Sequence, residues 1–355
     1  MAILTEEQTM LRDMAREWAD NESPVTAFRR MRDAAPADFY DAEAWRAQAE
    51  MGWAGILVPE AQGGVGMGIL SLGLVLEQLG RTLTATPLAA TAAAISAILL
   101  GGSEKQQAEW LPRLATGEVV TTLAVDEGPR FAPDRIATEA SNGRITGTKE
   151  FVAEGDSAQL FVVAAKDGLY LVSGEEGVTR SPRRLADSRS HAQVRFDGAP
   201  AEKLEGRADL LTAVTDRAAA ASCAEMLGMA EAAFAQTNDY LKTRVQFGQV
   251  LASFQALQHR MAKMFTELEL MRSVVEGAFE AIDADRDVSQ AVSLAKAVAG
   301  ETLQLVSREM VQLHGGIGMT DEHDAGFYLK RARVLEAMWG NAAWHRERFA
   351  RLNGY

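Results

Sequence analysis

The spacing of apolar residues changes twice along the chain. From Thr5 to about Glu118, apolar positions recur every three or four residues between breaks at proline and glycine, a period typical of amphipathic helices. Short β-prone runs separated by Gly, Asp, Ser and Pro begin at Val119 and predict strands. Helical spacing returns after Pro200, beyond which no proline occurs to break a helix. The pattern predicts a helical, a β and a second helical domain over residues 1–118, 119–207 and 208–355.

Local signals place several elements within this order. Two capping boxes, Thr5–Gln8 and Ser103–Gln106, predict helix starts. The Ala-rich run Leu88–Leu100 is too short to span a bilayer and predicts a buried helix. The glycine cluster at 63–68 predicts a loop, since neither a preceding apolar strand nor a following lysine marks it as a phosphate-binding loop. The predicted strands are Val119–Val125, Arg144–Val152, Leu160–Ala165, Leu169–Val172 and Ala192–Phe196, and a long helix is predicted from Val288 to His314.

Composition narrows the class of protein. The chain has 355 residues and a net charge of -13, which argues against a nucleic-acid partner because that binding needs clustered Lys and Arg. The single Cys223 lies in an apolar stretch, so no disulfide framework forms and a buried, inert thiol is expected. No signal peptide, membrane anchor or metal-ligand set is evident. We expect a cytoplasmic protein.

The segment Arg244–His259 carries the strongest chemical signal. Its first half predicts a turn at Phe247–Gly248, and its second half predicts a helix with Ser253 as N-cap. The apolar residues Phe254, Leu257, Met261, Phe265 and Leu268 are expected to form one buried stripe. Gln255 and His259 lie on a different face, and the guanidinium of Arg244 suits a phosphate. A bound nucleotide is therefore predicted. Taken individually, each of these polar residues has a simpler interpretation: Arg244 as a charge at a helix end, and Gln255 and His259 as surface or hydrogen-bonded polar groups.

As a whole, Arg-x-x-Phe-Gly-x-x-Leu-x-x-Phe-Gln-x-x-Gln-His resembles the flavin-binding signature of the acyl-CoA dehydrogenase family. The run Gln312–Thr320, which reads QLHGGIGMT, supports the same resemblance. The resemblance implies a mainly α fold with a β-barrel-like middle domain and a C-terminal four-helix bundle. It also implies FAD held across a dimer interface.

In that family, one chain contributes residues to the FAD of its neighbour. The matching positions are Arg244 for the pyrophosphate, Phe247 as an apolar wall, Gln255, and the run Gln312, Leu313, His314, Gly315 and Gly316. The two glycines allow close backbone approach to a nucleotide, although they also end the helix before them.

The residues that hold the flavin within its own chain match poorly. Where the family has a Gly-Ser-Asp loop, this chain has the segment 128–133, and Phe151 and Ala153 replace a common Trp and a hydroxyl. The position of the family's catalytic Glu falls on Gly340, and the alternative position on an earlier helix falls on Ala218. The nearby carboxylates are Glu336 and Asp216, and each has a simpler role as a solvated charge.

The resemblance implies an enzyme subunit that desaturates an acyl-CoA only together with a homologous partner that supplies the base. The acyl group can be bulky, for example steroid-derived. A heterotetramer, with electron-transfer flavoprotein as electron acceptor, is expected. Three alternatives stay open: a self-sufficient homo-oligomeric dehydrogenase with an unusual base, a flavin-dependent oxidase or oxygenase, and a structural family member that binds neither FAD nor acyl-CoA.

Overall fold

The computed structural model describes residues 4–36 and 39–355. Eleven α-helices lie within these ranges, and they are grouped before and after a β region. The helices are α1 Glu6–Glu22, α2 Val25–Ala34, α3 Ala42–Glu50, α4 Gly68–Arg81, α5 Leu88–Gly101, α6 Glu104–Ala115, α7 Leu210–Thr243, α8 Gln255–Asp283, α9 Val288–His314, α10 Ala325–Ala337 and α11 Ala342–Leu352. No helix in the described ranges is both long and apolar enough to cross a membrane.

The β region forms two four-stranded sheets. Its strands are β1 Thr121–Ala124, β2 Glu139–Ser141, β3 Arg144–Ala153, β4 Leu160–Ala165, β5 Gly168–Ser173, β6 Val178–Pro182, β7 His191–Pro200 and β8 Glu202–Lys203. One sheet has the order β1-β4-β5-β8, with β1 and β4 parallel, and the other has the order β2-β3-β7-β6. Both sheets are open within the described residues, so this region is not the closed barrel that the resemblance suggested.

A shared apolar core joins the two sheets face to face. Phe161 of β4 meets Phe196 of β7 edge to face, with ring centroids 5.8 Å apart, a favourable aromatic geometry. Val163, Val172 and Val194 are also fully buried in this core. The alternation of inward and outward side chains along each strand produces it. Val152, next to Phe151, belongs to this core.

Most local predictions are confirmed. Both capping boxes are present, since Gln8 and Gln106 each exchange two hydrogen bonds with Thr5 and Ser103. The buried helix predicted at Leu88 is α5, and the helix predicted from Val288 to His314 is α9. The turn at Phe247–Gly248 connects two short strands, β9 Val245–Gln246 and β10 Gln249–Val250.

Two predictions for the start of α8 are wrong. Ser253 does not cap the helix, because residues 251–253 form a 3₁₀ turn in which its hydroxyl donates to the carbonyl of Val250, and Phe254 occupies the N-cap position without a side-chain cap. The predicted stripe is not buried as a whole, since Phe265 is 53% exposed. The buried face runs through Met264, Leu268 and Met271 instead, so the helical period was right and the predicted face was rotated.

The chain divides into two compact units. Unit 1 contains residues 1–28, 73–84 and 220–355, and unit 2 contains residues 29–72 and 85–219. Unit 1 thus holds α1, most of α7, and α8–α11, while unit 2 holds α3, α5, α6 and both four-stranded sheets. The ranges 1–118, 119–207 and 208–355 remain predictions.

Candidate functional site

The residues of the segment Arg244–His259 that are predicted to bind a nucleotide lie where α7 ends and α8 begins, within unit 1. Arg244 directly follows α7, and the β9–β10 hairpin carries Phe247 at its tip. Phe247 is 87% exposed and has a positive φ of 53°. Gln255 is the first residue of α8 and is also exposed. These three side chains are therefore accessible to a group that lies outside the chain.

The run Gln312–Thr320 begins at the end of α9. Gln312 is exposed, whereas Leu313 and His314 are buried. The Nδ1–H of His314 donates to the carbonyl of Met310 at 2.7 Å, and burial lowers the pKa of this imidazole. His314 therefore contributes a neutral ring to the core.

Gly315 and Gly316, in the run Gln312–Thr320, begin a 3₁₀ turn. Gly315 has φ 66° and ψ -138°, a conformation that essentially only glycine adopts. A Cβ at either glycine would meet no atom within 4 Å. The space above both residues is open in this chain, which is the room that a ligand or a partner chain needs.

The structure brings the segment Arg244–His259 and the run Gln312–Thr320 close together. The Tyr240 ring, one turn before Arg244, stacks on His314 with centroids 4.3 Å apart, and its hydroxyl donates to the His314 carbonyl at 3.3 Å. Arg260 of α8 pairs with Glu309 of α9 at 2.6 Å. The end of α7, the start of α8 and the end of α9 thus meet at one end of unit 1, and we call this region the α7–α9 end.

The donor chemistry of the α7–α9 end fits a pyrophosphate. The first amides of α8 have no side-chain cap, and the start of a long helix carries a partial positive charge that favours anions. Arg244 adds a planar fork of donors suited to phosphate oxygens. The uncapped amides, the arginine and the open glycines are the features that an FAD pyrophosphate and its approach require.

Exposed apolar side chains lie on the segments that form and continue the α7–α9 end. The exposed fractions are 56% for Val245, 87% for Phe247, 53% for Phe265 and 78% for Met319. A group of large apolar side chains left open to solvent marks a surface that another chain or ligand covers.

A buried charged cluster occupies the end of β1 in unit 2, next to the segment expected to hold a flavin. Lys149 is fully buried, and its ammonium donates to the Val125 carbonyl at 3.1 Å and to the Glu127 carboxylate at 2.7 Å. Burial opposes ionisation of Glu127, but hydrogen bonds from Lys149, Thr138 and two main-chain amides outweigh it and lower its pKa to about 2. Glu127 is therefore ionised.

Asp126 is the second carboxylate of this cluster. Burial raises its pKa to about 6, and the nearby charge of Lys149 only partly offsets that effect. Its Oδ1 is buried without a hydrogen-bond partner. Two adjacent carboxylates whose pKa values lie on opposite sides of the normal value are characteristic of functional sites.

The residues that replace the family's flavin contacts lie beside this cluster. Phe151 lies in a β-bulge of β3, with φ 52° and 39% of its surface exposed. Ala153 offers no hydroxyl, and its carbonyl already accepts from Thr122 at 2.6 Å. The side chains at 151 and 153 supply an apolar surface and no hydrogen bond, so this loop fits an isoalloxazine ring poorly.

Gly340, the residue that the sequence resemblance predicts at the position of the family's base, lies in a tight turn between α10 and α11. Its φ is 95°, and an added Cβ would lie 2.8 Å from the Trp344 ring. The ammonium of Lys296 donates to the carbonyls of Leu335, Glu336 and Gly340 at 3.0, 3.2 and 3.0 Å. The turn is therefore tied to the interior of unit 1.

Lys296 and His345 form the buried side of this turn. Lys296 has no exposed surface, and burial lowers its pKa to about 8. The Nε2–H of His345 donates to the Trp339 carbonyl at 2.9 Å, while burial and the charge of Lys296 lower the His345 pKa to about 3. Cys223 lies near Lys296, and burial raises its pKa to about 12. This is the inert thiol expected from the sequence.

The alternative base position that the resemblance predicts, Ala218, carries no acidic side chain, and two carboxylates lie near the predicted positions. Ala218 is buried in α7. Asp216, two residues earlier, is only 2% exposed, so the prediction that it is a solvated charge is wrong. Glu336 is partly exposed, and its Cγ lies 3.7 Å from the Cβ position of Gly300. Sequence reasoning missed Asp126 and Lys296. The signal for Lys296 was a single lysine among the small residues of the α9 sequence Ser-Leu-Ala-Lys-Ala-Val-Ala-Gly.

The described residues of unit 2 form at least two cavities. The larger has a volume of about 570 Å³ and lies between the β4–β5 turn and the start of α7, and its charged lining includes Lys166, Asp167, Lys203 and Arg207. Lys203 pairs with Asp167 at 2.7 Å. The smaller, of about 70 Å³, lies among residues 182–191, Asp156 and the end of α2. Of these two cavities, the larger has room for a nucleotide.

Helical regions before and after two packed sheets, together with the α7–α9 end, define the architecture of a flavin-dependent acyl-CoA dehydrogenase. Models of the N-terminal and C-terminal domains of acyl-CoA dehydrogenases match residues 5–118 and 206–352. The chain belongs to the acyl-CoA dehydrogenase family. The homologues of this family are FAD-dependent, as predicted.

Three relatives illustrate the similarity. Acyl-CoA dehydrogenase IpdE2 of Mycobacterium tuberculosis is 33% identical over 298 residues, which cover 82% of this chain and 81% of the relative. A variant of the Tcur3481-Tcur3483 steroid ACAD has 29% identity and a TM-score of 0.92, with 98% of each chain covered. The ChsE4-ChsE5 complex from Mycobacterium tuberculosis has 26% identity and a TM-score of 0.92, with both chains covered completely.

Proposed function

We propose that this chain is the subunit without a catalytic base in a heteromeric, FAD-dependent acyl-CoA dehydrogenase. Its role is to complete the flavin site of a homologous partner through the α7–α9 end. The partner supplies the carboxylate that removes the α-proton of the acyl-CoA and the loop that surrounds the flavin ring. FAD, held in part by Arg244 and the start of α8, would supply the hydride acceptor for the β-hydrogen, with an electron-transfer flavoprotein as the electron acceptor.

The Gly340 turn is the observation that carries this proposal. A glycine has no side chain that can remove a proton, so it cannot act as the general base in place of a carboxylate. A general base typically contributes roughly 10² to 10⁴ in rate. The positive φ of 95° and the 2.8 Å approach to Trp344 leave no unstrained place for any side chain at this position. The conformation of this turn therefore requires glycine at position 340.

The α7–α9 end supports a shared flavin site. Its donors, namely Arg244 and the uncapped start of α8, face outward together with Phe247. The loop around Phe151 and Ala153 lacks the matching donors for a flavin ring. A chain that has the outward-facing half and lacks the enclosing half is suited to serve a flavin bound mainly by another chain.

The relatives support the assembly and the substrate class. One is a two-component steroid ACAD and another is a two-chain complex. We infer a bulky, steroid-derived acyl-CoA thioester as the substrate of the assembled enzyme.

The test compares the chain alone with the chain produced together with a homologous subunit that carries a Glu at the position of Gly340. Flavin absorbance, dye-linked acyl-CoA oxidation and light scattering are measured on both preparations. We expect flavin and turnover only in the co-purified assembly, with a mass of a heterotetramer. Robust turnover by the lone chain would refute the proposal, and Glu336→Gln and Asp216→Asn would then identify the base.

A mixed outcome is also informative. A lone chain that retains FAD in a homodimer without oxidising acyl-CoA would contradict the division of the flavin site, whereas the missing base would stand. A lone chain that consumes oxygen without an acyl-CoA would point to an oxidase. A co-purified assembly without flavin would leave only a structural role for this chain and would overturn the proposal.

A further inference from the structure

His323 ends a column of three stacked rings that starts in the α7–α9 end. Its ring centroid lies 4.2 Å from that of His314, and the His314 centroid lies 4.3 Å from that of Tyr240. His314 is buried, whereas His323 is partly exposed. The column therefore holds the ring of His323 at the surface, beside the residue that precedes Gly315.

The hydrogen bonds of the two histidines fix opposite tautomers. The amide of Ala325 donates to Nδ1 of His323 at 3.1 Å. Because a main-chain amide is always a donor, this nitrogen carries no proton, and the proton of the neutral ring is on Nε2. In His314 the proton is on Nδ1, which donates to the carbonyl of Met310.

The Nε2–H of His323 is an open donor. In the part of the chain that the structure describes it has no hydrogen-bond partner, and the atom is not buried. Nδ1 is occupied by the first amide of α10, a group that otherwise lacks a partner at a helix start. The stack fixes one face of the ring and Ala325 fixes one edge, so the other edge presents a donor in a defined direction.

The charges beside His323 select the kind of acceptor. Asp321, Glu322 and Asp324 flank it in the sequence, and the first two are exposed. Carboxylates repel a phosphate, so the pyrophosphate is better placed at Arg244. A neutral imidazole N–H donates equally well to an uncharged acceptor, and FAD carries such acceptors on its sugar hydroxyls and ring atoms.

We propose that His323 is a further FAD-binding residue, whose Nε2–H donates to an uncharged oxygen or nitrogen atom of the FAD that the partner holds. This inference rests on the proposed function, which brings that FAD to the α7–α9 end. The cofactor is then bound there by two kinds of contact. Arg244 and the start of α8 bind its charged pyrophosphate, and His323 binds an uncharged part.

The first experiment tests the tautomer in the lone chain, without flavin or a partner. Ring ¹⁵N chemical shifts at about pH 8.5 distinguish a protonated from an unprotonated imidazole nitrogen, and comparison with His323→Asn assigns the signals of His323. We expect the proton on Nε2 of His323 and on Nδ1 of His314. A proton on Nδ1 of His323 would overturn the proposal, because the surface would then present an acceptor.

The second experiment measures FAD binding by the co-purified assembly, from the fluorescence of released flavin. Asn can keep the acceptor that Nδ1 offers to Ala325 but has no donor at the position of Nε2, whereas the longer Gln places its amide N–H groups there. His323→Asn should weaken FAD binding by about fivefold, the value of one hydrogen bond between neutral groups. His323→Gln should stay within about twofold of the wild type.

These two variants separate a donor from a packing role. Both lose the stacked ring, so a merely structural role would weaken FAD binding equally in both. An equal loss in His323→Asn and His323→Gln would therefore overturn the proposal. Wild-type affinity in His323→Asn would overturn it as well.

Salt dependence identifies the part of the FAD that His323 contacts. Added salt screens a contact between charges, so the loss of affinity in Arg244→Ala should shrink between about 50 and 500 mM salt. The loss in His323→Asn should stay constant over this range, because its acceptor is uncharged. A loss that shrinks in the same way as that of Arg244→Ala would place His323 on the pyrophosphate and contradict the proposal.

Failure of this inference is distinguishable from failure of the proposed function. If the wild-type assembly binds FAD and Arg244→Ala weakens that binding while His323→Asn does not, only the role of His323 is wrong. If the wild-type assembly contains no flavin, the proposed function is wrong and the role of His323 with it.

Discussion

The ammonium of Lys296 and the carbonyl of Gly340 are joined by a hydrogen bond of 3.0 Å inside unit 1. Two further carbonyls, of Leu335 and Glu336, accept from the same ammonium. A single lysine of α9 thus satisfies the end of α10 and the turn after it, where helix carbonyls otherwise lack partners.

Lys296→Met should destabilise the protein, because it leaves three buried carbonyls without a donor. Each unsatisfied group costs about 1 to 3 kcal/mol, and removal of a buried charge offsets part of the sum, so we expect a net loss of about 2 to 4 kcal/mol. Denaturant unfolding at pH 7 measures it. Lys242→Met, which removes an exposed lysine at the end of α7, is the matched control and should have little effect.

The pH dependence of that loss has a defined sign. The Lys296 pKa is about 8 in the folded protein and about 10.4 in an unfolded chain, so the unfolded state binds more protons between these values. Stability contributed by this site therefore increases from pH 8 to pH 10.4. The stability gap between wild type and Lys296→Met should widen over this range, and a constant gap would contradict a buried, charged Lys296.

Gly340→Glu should not restore a catalytic base to the lone chain. The new residue would take a left-handed conformation and displace the Trp344 ring, which together cost at least about 1 to 3 kcal/mol. Urea unfolding and dye-linked turnover report the two effects. Gly174→Ala has a similar positive φ of 85° and no atom near its Cβ position, so it should cost less. Substantial turnover in Gly340→Glu would show that the base alone was missing.

Arg244→Ala should weaken FAD retention by the assembled complex. The loss of one or two charge-assisted hydrogen bonds, worth about 1.5 to 3 kcal/mol each, corresponds to about ten- to hundredfold or more in affinity. Flavin release during dilution, followed by fluorescence, measures this change. Arg308→Ala removes an exposed arginine of α9 as a control for charge. Equal flavin retention in both variants would assign Arg244 a packing role only.

Asp126→Asn should stabilise the protein at neutral pH and not at pH 4. The folded pKa of about 6 exceeds the unfolded value of about 3.9, so burying the ionised carboxylate becomes costly as the pH rises from 4 to 6. The two-unit difference corresponds to at most about 3 kcal/mol above pH 6. Thermal unfolding at pH 4 and 7.5 measures the effect, with the exposed Asp197→Asn as control. A stability gain that is equal at both pH values would contradict the shifted pKa of Asp126.

The sequence predicted the elements whose signals are local. The bounds of α9 follow from uninterrupted helical spacing ended by Gly315, and β4 follows from a continuous apolar run. The edge strands β2, β6 and β8 were missed, because their exposed or mixed side chains give no alternation and only their pairing with β3, β7 and β5 defines them.

The residues of the candidate sites also divide into those that the sequence predicted and those that it did not. The side chains of Arg244 and Phe247 are exposed, as a contact with another molecule requires, and their motifs were legible in the sequence. Asp126 and Lys296 were not recognised, because their shifted pKa values arise from burial and from neighbours distant in sequence. The true face of α8 was missed for a related reason: Met264 and Phe265 both fit a helical stripe, and only tertiary packing selects Met264.

The hairpin tip at Phe247 represents a conflict between local conformation and assembly. Positive φ angles at both Phe247 and Gly248 are those of a type I′ turn, whose first central residue is normally Asn, Asp or Gly. A large aromatic residue at this position therefore opposes the intrinsic preference of its own turn, a kind of local frustration that concentrates at functional surfaces. One substitution, Phe247→Asn, should raise the melting temperature of the isolated chain while weakening its association in light-scattering measurements. In the proposed assembly, the contact that Phe247 makes with another molecule outweighs its cost to the stability of the single chain.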